Sequence, residues 1–355
     1  MAIFIAADFS ERAWARWWPL LEAALPGERL VRERAAVADA EIDIALVANP
    51  APGALAGLPA LRLIQSLWAG VDRLLADATV PDSVPLARMV DPAMNQAMAE
   101  TALWAVLGLH RGFVRCAAQQ RDAIWRPPAF RRADEVTVAV LGQGEMGRSA
   151  AQQLARHGYR VLGWRRRPAE AAAGAGVGVG EAAGCAGVAG AAGVAEAAGV
   201  AGASGVAGAA DLAQAAGVES HAGPAVLAEV LGRAQIAINL LPLTPETRGL
   251  FNAATLAQMP AGASLVNLAR GAHVVEADLL AALDAGHLRH AVLDVFDTEP
   301  LPPSHPFWRH PQITVLPHIA APTDPRSAVA IAARNVRAWR AGQPLEGSVD
   351  RARGY

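Results

Sequence analysis

Three side chains suited to anion binding and proton transfer stand in the second half of the chain, each after a short apolar run. They are Arg270 in LVNLARGAHV, Glu299 in LDVFDTEP and His318 in VLPHIAA. Such runs predict buried strands. Because the carboxyl ends of parallel strands line the ligand crevice of an open sheet, we expect the three side chains to converge. Taken singly, the arginine is typical of a surface ion pair and the histidine of a structural residue, so the prediction depends on their joint occurrence.

A second chemical signal is a glycine-rich turn in VAVLGQGEMGRSAAQQLARHGYRVLGW. Gly142 permits a tight turn, Gly144 lets the backbone approach a pyrophosphate, and Gly147 lets a helix lie close to the strand. Free N–H groups of Glu145 and Met146 at the helix N-terminus would hold the pyrophosphate. Any glycine-rich turn can produce this spacing, but here it joins a strand to a helix and a second strand follows. The pattern therefore predicts a dinucleotide site.

The end of that second strand bears on which dinucleotide binds. NAD-specific sites place a carboxylate there for the ribose 2′-hydroxyl, whereas this chain has Arg165, Arg166 and Arg167, with no carboxylate before Glu170. A guanidinium can bind a 2′-phosphate through two hydrogen bonds. The sequence favours NADPH over NADH, although one or two of these arginines, Arg167 above all, can equally be solvated surface residues.

The elements that must position these groups predict an α/β fold. At 355 residues the chain is long enough for two domains, and strand-like runs alternate with helical stretches. Helices are expected at 11–25, 92–125 and 324–341, the last returning to the first domain. The expected strands are 2–7, 42–48, 61–67, 136–142, 235–241, 264–269, 290–296 and 313–318.

These patterns predict two doubly wound parallel-sheet domains, a Rossmann cofactor domain inserted in a flavodoxin-like substrate domain. We assign 1–100 plus 320–355 to the substrate domain and 101–319 to the NADP-binding domain. Residues 169–217, almost wholly Ala, Gly and Val, interrupt the latter. A hexapeptide solenoid is conceivable there, but side chains this small bury little surface, so we expect a mobile surface loop.

Composition excludes several classes of function. A formal net charge of −2 gives no general attraction to nucleic acid or anionic membranes. No window holds the roughly 20 apolar residues of a membrane span, and MAIFIAADFSE lacks the basic start of an export signal. Cys116 and Cys185 fit no metal or disulfide pattern, and His305 and His310 lack further ligands, so we expect a cytoplasmic protein without a metal.

The sequence resembles the D-isomer-specific 2-hydroxyacid dehydrogenase family over nearly the whole chain outside 169–217. The resemblance rests on six sequence segments, GQGEMG, INLLPLTPETRGLFN, VNLARG, LDVFDTEPLP, LPHIAA and SLWAGVD (66–72). The WRRRP segment, SLWAGVD and the terminal VDRARGY are most similar to an NADPH-preferring subgroup that reduces glyoxylate and hydroxypyruvate. The turn after His318 reads Ala320-Ala321-Pro322-Thr323, where many relatives have Gly-His or His-Gly.

The resemblance implies a role for each of the three chemical groups. Arg270 would bind the substrate carboxylate and polarise its carbonyl, a task suited to a fixed charge with forked donors. His318 would protonate the carbonyl oxygen as hydride reaches the carbon. Glu299 would orient the imidazole and favour its protonated form.

The resemblance also implies further contacts. Asp294 would meet the nicotinamide carboxamide, and the N–H groups of Ala69 and Gly70 would grip the substrate carboxylate. Trp68 would wall a pocket for short acids, unless it only packs. Trp125 would contact the second subunit of a homodimer, with a local cap on the helix as an equal alternative. The remaining residues expected along the dinucleotide are Leu241, Pro242, Leu268 and Ala269.

The predicted function is therefore NADPH-dependent reduction of small 2-oxo acids, glyoxylate to glycolate and hydroxypyruvate to D-glycerate. One alternative is an NAD-linked dehydrogenase of a bulkier D-2-hydroxy acid, which the arginines and Trp68 oppose. Another is a dinucleotide-sensing regulatory protein on the same scaffold. A sensor needs no proton donor, so Arg270, Glu299 and His318 oppose it. A third is an enzyme inactivated by the insertion at 169–217.

Overall fold

The chain forms two parallel β-sheets flanked by helices in a computed structural model that describes residues 1–167 and 217–354. All strand pairs of both sheets are parallel. Such sheets need apolar cover on both faces, which the helices supply. The predicted α/β class with two doubly wound sheets is confirmed.

The first sheet has five strands in the order β2-β1-β3-β4-β5, the flavodoxin-like order. The amphipathic helix α1 follows the strand β1. Ser10 is the N-cap of this helix, and its hydroxyl accepts from the Ala13 N–H. The strands are β1 (Ala2–Ala7), β2 (Arg29–Val31), β3 (Ile42–Ala48), β4 (Leu63–Ser66) and β5 (Leu86–Ala87), and the helices are α1 (Glu11–Ala24) and α2 (Asp72–Ala76).

The second sheet has seven strands in the order β12-β11-β10-β9-β6-β7-β8. The strand order reverses between β6 and β9, the point where open α/β sheets bind ligands. Its strands are β6 (Thr137–Leu141), β7 (Arg160–Arg165), β8 (Val218–Ala222), β9 (Ile236–Asn239), β10 (Ala263–Asn267), β11 (Leu288–Leu293) and β12 (Ile313–Val315).

Helices cover both faces of the seven-stranded sheet. Buried residues of α3 and α5 pack on one face, and buried residues of α6 to α8 pack on the other. The helices are α3 (Pro92–His110), α4 (Phe113–Arg121), α5 (Glu145–Arg156), α6 (Leu227–Arg233), α7 (Ala253–Leu256), α8 (Glu276–Asp284) and α9 (Pro325–Arg340).

The C-terminal helix α9 returns to the five-stranded sheet, as the sequence predicts. Its apolar face joins the core formed by α1 and the first sheet. Asn335 donates to Gln65 on β4 at 2.6 Å, and Arg340 pairs with Glu28 and Asp43. These contacts join the C-terminal helix to the first sheet, while the discontinuous substrate domain and its boundaries at 100 and 320 stay predictions.

The helix expected over 92–125 is wrong as a single element. It ends at His110, and a shorter helix, α4, runs from Phe113 to Arg121. Gly112 between them has φ +72°, a left-handed conformation that stops a helix. An added Cβ there would lie 2.9 Å from Pro128, so the chain needs glycine to fold back on this proline.

The expected strands all form, with ends that are shorter by one to three residues in most cases. In the described ranges no helix is long and apolar enough to cross a membrane. Among the same residues no group of three or more His, Cys, Asp or Glu side chains is arranged to hold a metal ion. The expected loop at 169–217 lies outside the described residues, apart from Gly217.

Candidate active site

The three chemical groups named first in the sequence follow three strands that are neighbours in the sheet. Arg270 comes after β10, Glu299 after β11 and His318 after β12, and these strands pair in the order β12-β11-β10. All three therefore leave the same carboxyl edge of the seven-stranded sheet. The structure places them there by topology, because their strands are parallel.

His318 and Glu299 are in direct contact. The Nδ1 atom of His318 lies 2.8 Å from Oε2 of Glu299, and Oε1 of the same carboxylate accepts from the N–H of Phe296 at 2.9 Å. The backbone thus fixes one oxygen of Glu299 and leaves the other for the imidazole. Since the His318 side chain is 55% exposed and that of Glu299 only 25%, the Nε2 edge of the ring, which points away from this bond, can reach a ligand.

The pair shifts both pKa values in the direction that keeps it charged. The hydrogen bond that His318 donates to Glu299 raises the pKa of His318, against the opposing effect of burial. Burial acts to raise the pKa of Glu299, but the bonds from His318 and Phe296 outweigh it and leave that pKa lowered. The charge of Arg270 adds to the lowering of the Glu299 pKa and opposes the raising of the His318 pKa, so its guanidinium lies within electrostatic reach of both groups.

Asp294 holds the turn that carries His318. Its two carboxylate oxygens accept from the N–H groups of Ile319 at 2.7 Å and Ala320 at 3.0 Å. Its own carbonyl accepts from the His318 N–H at 2.9 Å. His318 has φ +55°, a strained conformation for a residue with a side chain, and this set of bonds holds it.

The contact predicted between Asp294 and a nicotinamide carboxamide stays a prediction. The residue is 1% exposed, and burial raises the pKa of its carboxyl despite the two N–H bonds. Each oxygen retains a further acceptor position, so the carboxamide contact is compatible with the geometry. The structure adds a role in holding the turn that the sequence did not indicate.

Arg270 reaches across to the first sheet. Its Nε and Nη2 atoms donate to Oδ1 of Asp72 at 3.0 and 2.9 Å, and Nη1 donates to the carbonyl of Ala269 at 2.7 Å. Gly70 lies against the same group, because an added Cβ there would overlap Nη2 of Arg270. Arg270 and Gly70, predicted to share a substrate carboxylate, are therefore brought together.

The N–H groups of Ala69 and Gly70 have no acceptor among the described residues. They lie in the segment between β4 and α2, which faces Arg270. These free donors fit the prediction that they bind a carboxylate oxygen. Their position is set by Ser66, whose hydroxyl accepts from the Trp68 N–H at 3.0 Å.

Trp68 belongs to an aromatic cluster. Its ring lies 5.8 Å from that of Trp17 and 6.1 Å from that of Phe9, both edge-to-face. Its Nε1 is buried and has no hydrogen-bond partner within the described residues. The packing role is thus present in the structure, and the role as a pocket wall stays a prediction.

A buried pair of asparagines supports the strand ends beside the glycine turn. Nδ2 of Asn239 donates to Oδ1 of Asn267 at 2.9 Å, and Asn267 also holds the Ala269 N–H and the Arg270 carbonyl. The Leu241 N–H is bonded to Asn239. The pair fixes the two segments in which Leu241, Pro242, Leu268 and Ala269 were predicted to line the dinucleotide.

The glycine turn has the geometry that a dinucleotide needs. Gly142 has φ +103°, and a Cβ there would lie 2.5 Å from the Leu240 carbonyl oxygen. A Cβ on Gly147 would overlap the carbonyl of Gly142, whereas Gly144 faces open space. Among the described residues no side chain caps α5, which begins at Glu145, so the first N–H groups of this helix are available to a pyrophosphate.

Glu145 and Met146, predicted at this turn, stand in the first turn of α5. The Glu145 carboxylate pairs with Arg148 and leaves its own N–H free. Met146 packs partly buried against the cores of both sheets. Their backbone, rather than their side chains, is what the turn offers to an anion.

The arginines at the end of β7 differ from one another. Arg166 pairs with Glu246 at 2.9 Å, and Arg167 approaches the same carboxylate at 3.9 Å. The Arg165 guanidinium has no acceptor in residues 1–167 and 217–354. β7 (Arg160–Arg165) carries no carboxylate, which fits a 2′-phosphate better than a 2′-hydroxyl.

Three residues of this site were missed from the sequence. Asp72 closes the SLWAGVD segment and was quoted without a role, and Asn239 and Asn267 each stand last in an apolar strand. A polar residue at the end of a buried strand was the available signal. It does not by itself name the partner, since Asp72 and Arg270 lie in different sheets.

The fold, the glycine turn and the three groups at the strand ends together define a dinucleotide-dependent dehydrogenase of the two-domain type. The model of the D-isomer specific 2-hydroxyacid dehydrogenase NAD-binding domain matches residues 103–184 and 185–320. The chain belongs to this family, and the resemblance found in the sequence is confirmed.

Two curated relatives indicate which members of the family the chain is similar to in sequence. The chain is 39% identical to glyoxylate/hydroxypyruvate reductase A of Serratia proteamaculans, over 89% of each chain. It is 36% identical to the protein of the same name from Klebsiella pneumoniae, over 99% of each chain.

A solved structure with bound cofactor gives the same picture. A D-isomer specific 2-hydroxyacid dehydrogenase from Xanthobacter autotrophicus, in complex with NADPH and MES, is 36% identical with a TM-score of 0.82, covering 100% of this chain and 99% of its own. The NADPH-dependent glyoxylate/hydroxypyruvate reductase of Sinorhizobium meliloti, in complex with NADP and sulfate, is 31% identical with a TM-score of 0.80 over 100% and 99%.

Proposed function

We propose that the chain reduces glyoxylate to glycolate and hydroxypyruvate to D-glycerate with NADPH. The observation that carries the proposal is the 2.8 Å contact of His318 with Glu299 at the sheet edge from which Arg270 also extends. A proton donor beside an anion-binding group is what reduction of a 2-oxo acid requires. The relatives named above as glyoxylate/hydroxypyruvate reductases support the choice of substrates.

Arg270 binds and polarises the substrate in this proposal. Its remaining N–H donors hydrogen-bond a carboxylate oxygen and the neighbouring carbonyl oxygen, which places the carbonyl carbon next to the sheet edge. The fixed positive charge stabilises negative charge that develops on the carbonyl oxygen. The free N–H groups of Ala69 and Gly70 bind the other side of the carboxylate.

His318 gives a proton to the carbonyl oxygen. Glu299 holds Nδ1 and keeps the ring protonated, so the proton on Nε2 faces the substrate. NADPH, when bound, supplies the hydride for the carbonyl carbon. The hydride and the proton together convert the 2-oxo acid into the 2-hydroxy acid, and the reaction consumes one proton from His318, which solvent replaces.

The cofactor is held by residues of the seven-stranded sheet. The N–H groups at the start of α5 take the pyrophosphate, and Arg165 and Arg166 take the 2′-phosphate. Leu241, Pro242, Leu268 and Ala269 line the dinucleotide, and Asp294 meets the carboxamide. The guanidinium of Arg165, which has no acceptor within residues 1–167 and 217–354, supports NADPH, as do the neighbouring structures named with NADPH and NADP.

We also propose that residues 1–100 plus 320–355 form the substrate domain and 101–319 the NADP-binding domain. The packing of α9 on the five-stranded sheet supports this division. A cytoplasmic location is part of the proposal, and Cys116, which forms no disulfide within the described residues, fits a reducing compartment.

A homodimer through the face of α3 and α4 is the proposed assembly. Trp125, beyond α4, is 99% exposed, which is costly for an indole in water. Phe113, Ile124 and Phe130 are exposed in the same stretch. A second copy would cover this group. Sedimentation should give twice the mass of the chain, and Trp125→Ala should shift the equilibrium towards the monomer.

An absorbance assay at the reduced-nicotinamide band tests the function. We expect fast oxidation of NADPH with glyoxylate and hydroxypyruvate, less with pyruvate, and little oxidation of NADH. His318→Ala should lose about 10²- to 10⁴-fold in kcat/KM. The matched control is His310→Ala, which removes a histidine paired with Asp284 at 3.2 Å away from the strand-end site. Equal rates for wild type and His318→Ala would remove this residue from the mechanism.

A further inference from the structure

The ion pair of Asp72 with Arg270 joins the two sheets. Asp72 is the first residue of α2, beside the five-stranded sheet, and Arg270 follows β10 of the other sheet. A single oxygen, Oδ1, accepts from Nε at 3.0 Å and from Nη2 at 2.9 Å. The two side chains are 32% and 28% exposed, so the pair is partly shielded from water.

The contacts of Arg270 within the protein use some of its N–H donors and leave others for a ligand. A guanidinium has five N–H groups in a fixed plane. Asp72 takes the edge formed by Nε and Nη2, and the Ala269 carbonyl takes one N–H of Nη1 at 2.7 Å. These contacts leave one further N–H on each terminal nitrogen. The two terminal nitrogens of a guanidinium lie in one plane, in which they can bind two oxygens of one ligand.

The surroundings of the guanidinium restrict it to this orientation. Gly70 leaves no room for a side chain, because an added Cβ would overlap Nη2 of Arg270. The Arg270 carbonyl is held by Asn267 at 2.9 Å. The backbone at Arg270 and the space around its end are thus both fixed, and Asp72 supplies the remaining constraint on the plane of the group.

We propose that Asp72 is a positioning residue, which turns the terminal Nη1/Nη2 edge of Arg270 towards the substrate carboxylate and carbonyl. This inference rests on the proposed function. Asp72 acts through Arg270 and need not touch the substrate. It also offsets part of the positive charge, so the site favours a small monoanion held by two oriented bonds over anions attracted by charge alone.

Asp72 stays ionised over the working range of pH. Burial acts to raise the pKa of its carboxyl, but the charge and hydrogen bonds of Arg270 outweigh it and leave the pKa lowered. The orientation of Arg270 is therefore not expected to depend on pH near neutrality.

Two substitutions test the inference, Asp72→Asn, which keeps the size and removes the charge, and Asp72→Ala, which removes both acceptors. The matched control is Asp39→Asn. Asp39 accepts from Nε and Nη2 of Arg34 at 2.8 and 2.7 Å, the same edge of a guanidinium in the same half of the molecule. We measure kcat and KM for glyoxylate, the Kd of oxamate in the NADPH complex, the Kd of NADPH, and thermal unfolding.

For Asp72→Asn we expect kcat/KM to fall by about 10- to 100-fold, since charge-assisted hydrogen bonds carry this orientation. KM should rise and kcat should fall, because Arg270 both binds and polarises. The Kd of oxamate should rise about 10-fold or more, and Asp72→Ala should do the same or worse. The Kd of NADPH, the folded spectrum and the Asp39→Asn kinetics should stay near wild type.

Wild-type kinetics and oxamate binding in both Asp72 variants would overturn the inference and leave the proposed function in place. Equal losses in Asp39→Asn and Asp72→Asn would overturn it as well. A wild-type chain that reduces neither acid would contradict the proposed function instead. The Kd of oxamate still decides on Asp72 in that case, since it needs no turnover.

Discussion

The strand ends after β10 to β12 and the end of β7 show two ways in which one sheet presents charged groups. After β10 to β12, the buried side chains of Asn267 and Asp294 bind the backbone beside Arg270 and His318. At the end of β7, Arg165 has no acceptor among the described residues, and Arg166 has only the exposed Glu246. The first region is fixed by a network and the second by single contacts.

The difference follows from what each region must do. Proton transfer needs an imidazole within hydrogen-bond distance of its target, so small displacements are costly. Attraction of a phosphate by a guanidinium acts over longer distances and tolerates motion. We therefore expect substitutions at the network to disable turnover and substitutions at β7 to shift cofactor preference.

After His318→Ala, the largest effect is expected for Arg270→Lys, which keeps the charge and removes the forked donors. We expect kcat/KM for glyoxylate to fall about 100-fold, because an ammonium cannot hold Asp72 and two substrate oxygens in one plane. Steady-state kinetics measure this. Arg34→Lys, at the ion pair with Asp39, should leave the kinetics unchanged. A loss below threefold for Arg270→Lys would show that charge alone suffices.

The next largest effect is expected for Asp294→Asn. An amide can accept from only one of the two N–H groups of Ile319 and Ala320 and turns a donor towards the other, which costs about 1–3 kcal/mol. Denaturant unfolding should show that loss, and kcat should fall about 10-fold as His318 is displaced. Asp91→Asn is the control, since Asp91 is buried and accepts from Ala93 and Ser327. It should lose stability and keep its kcat.

Arg165→Ala should have a smaller and selective effect. Loss of one charged hydrogen bond to the 2′-phosphate should raise the KM of NADPH about 10-fold and leave the KM of NADH nearly unchanged. Arg166→Ala should act in the same direction. The experiment compares both cofactors at saturating glyoxylate. If the KM values for NADPH and NADH rise together, these arginines do not bind the 2′-phosphate.

Arg167→Ala should have the smallest effect, below about threefold on either cofactor, because exposed ion pairs contribute little. Arg167 is half exposed and only 3.9 Å from Glu246. An NADPH effect as large as that of Arg165→Ala would place all three arginines at the phosphate and remove the distinction among them.

Local sequence predicted most of the fold. The alternation of apolar runs identified β1 and β3 at their observed bounds, because buried parallel strands are continuous apolar segments. The break at Gly112 was missed, since a single glycine inside a helical pattern is often tolerated. Gly112 stops the helix with φ +72° where the chain lies too close to Pro128 for a side chain, and this close approach is a tertiary feature.

The site was predictable where a chemical group follows a strand. Arg270, Glu299 and His318 stand at such positions, and topology brings them to one edge. The Asp72 contact was not predictable, because it joins residues of two sheets whose relative placement no local pattern encodes. The packing of Trp68 was not predictable for the same reason. Its neighbours are Trp17 in α1 and Phe9 just before that helix, both distant in sequence.

The pH dependence of kcat/KM for glyoxylate, in wild type and Glu299→Gln, tests most directly whether His318 held by Glu299 is the proton donor. Only the protonated imidazole can donate, so reduction must fall as pH rises through the pKa of His318. The Glu299 hydrogen bond raises that pKa, so the fall in wild type should begin above the ordinary histidine range, near 6.5. In Glu299→Gln it should begin at lower pH. The same alkaline limb in both proteins would contradict the account.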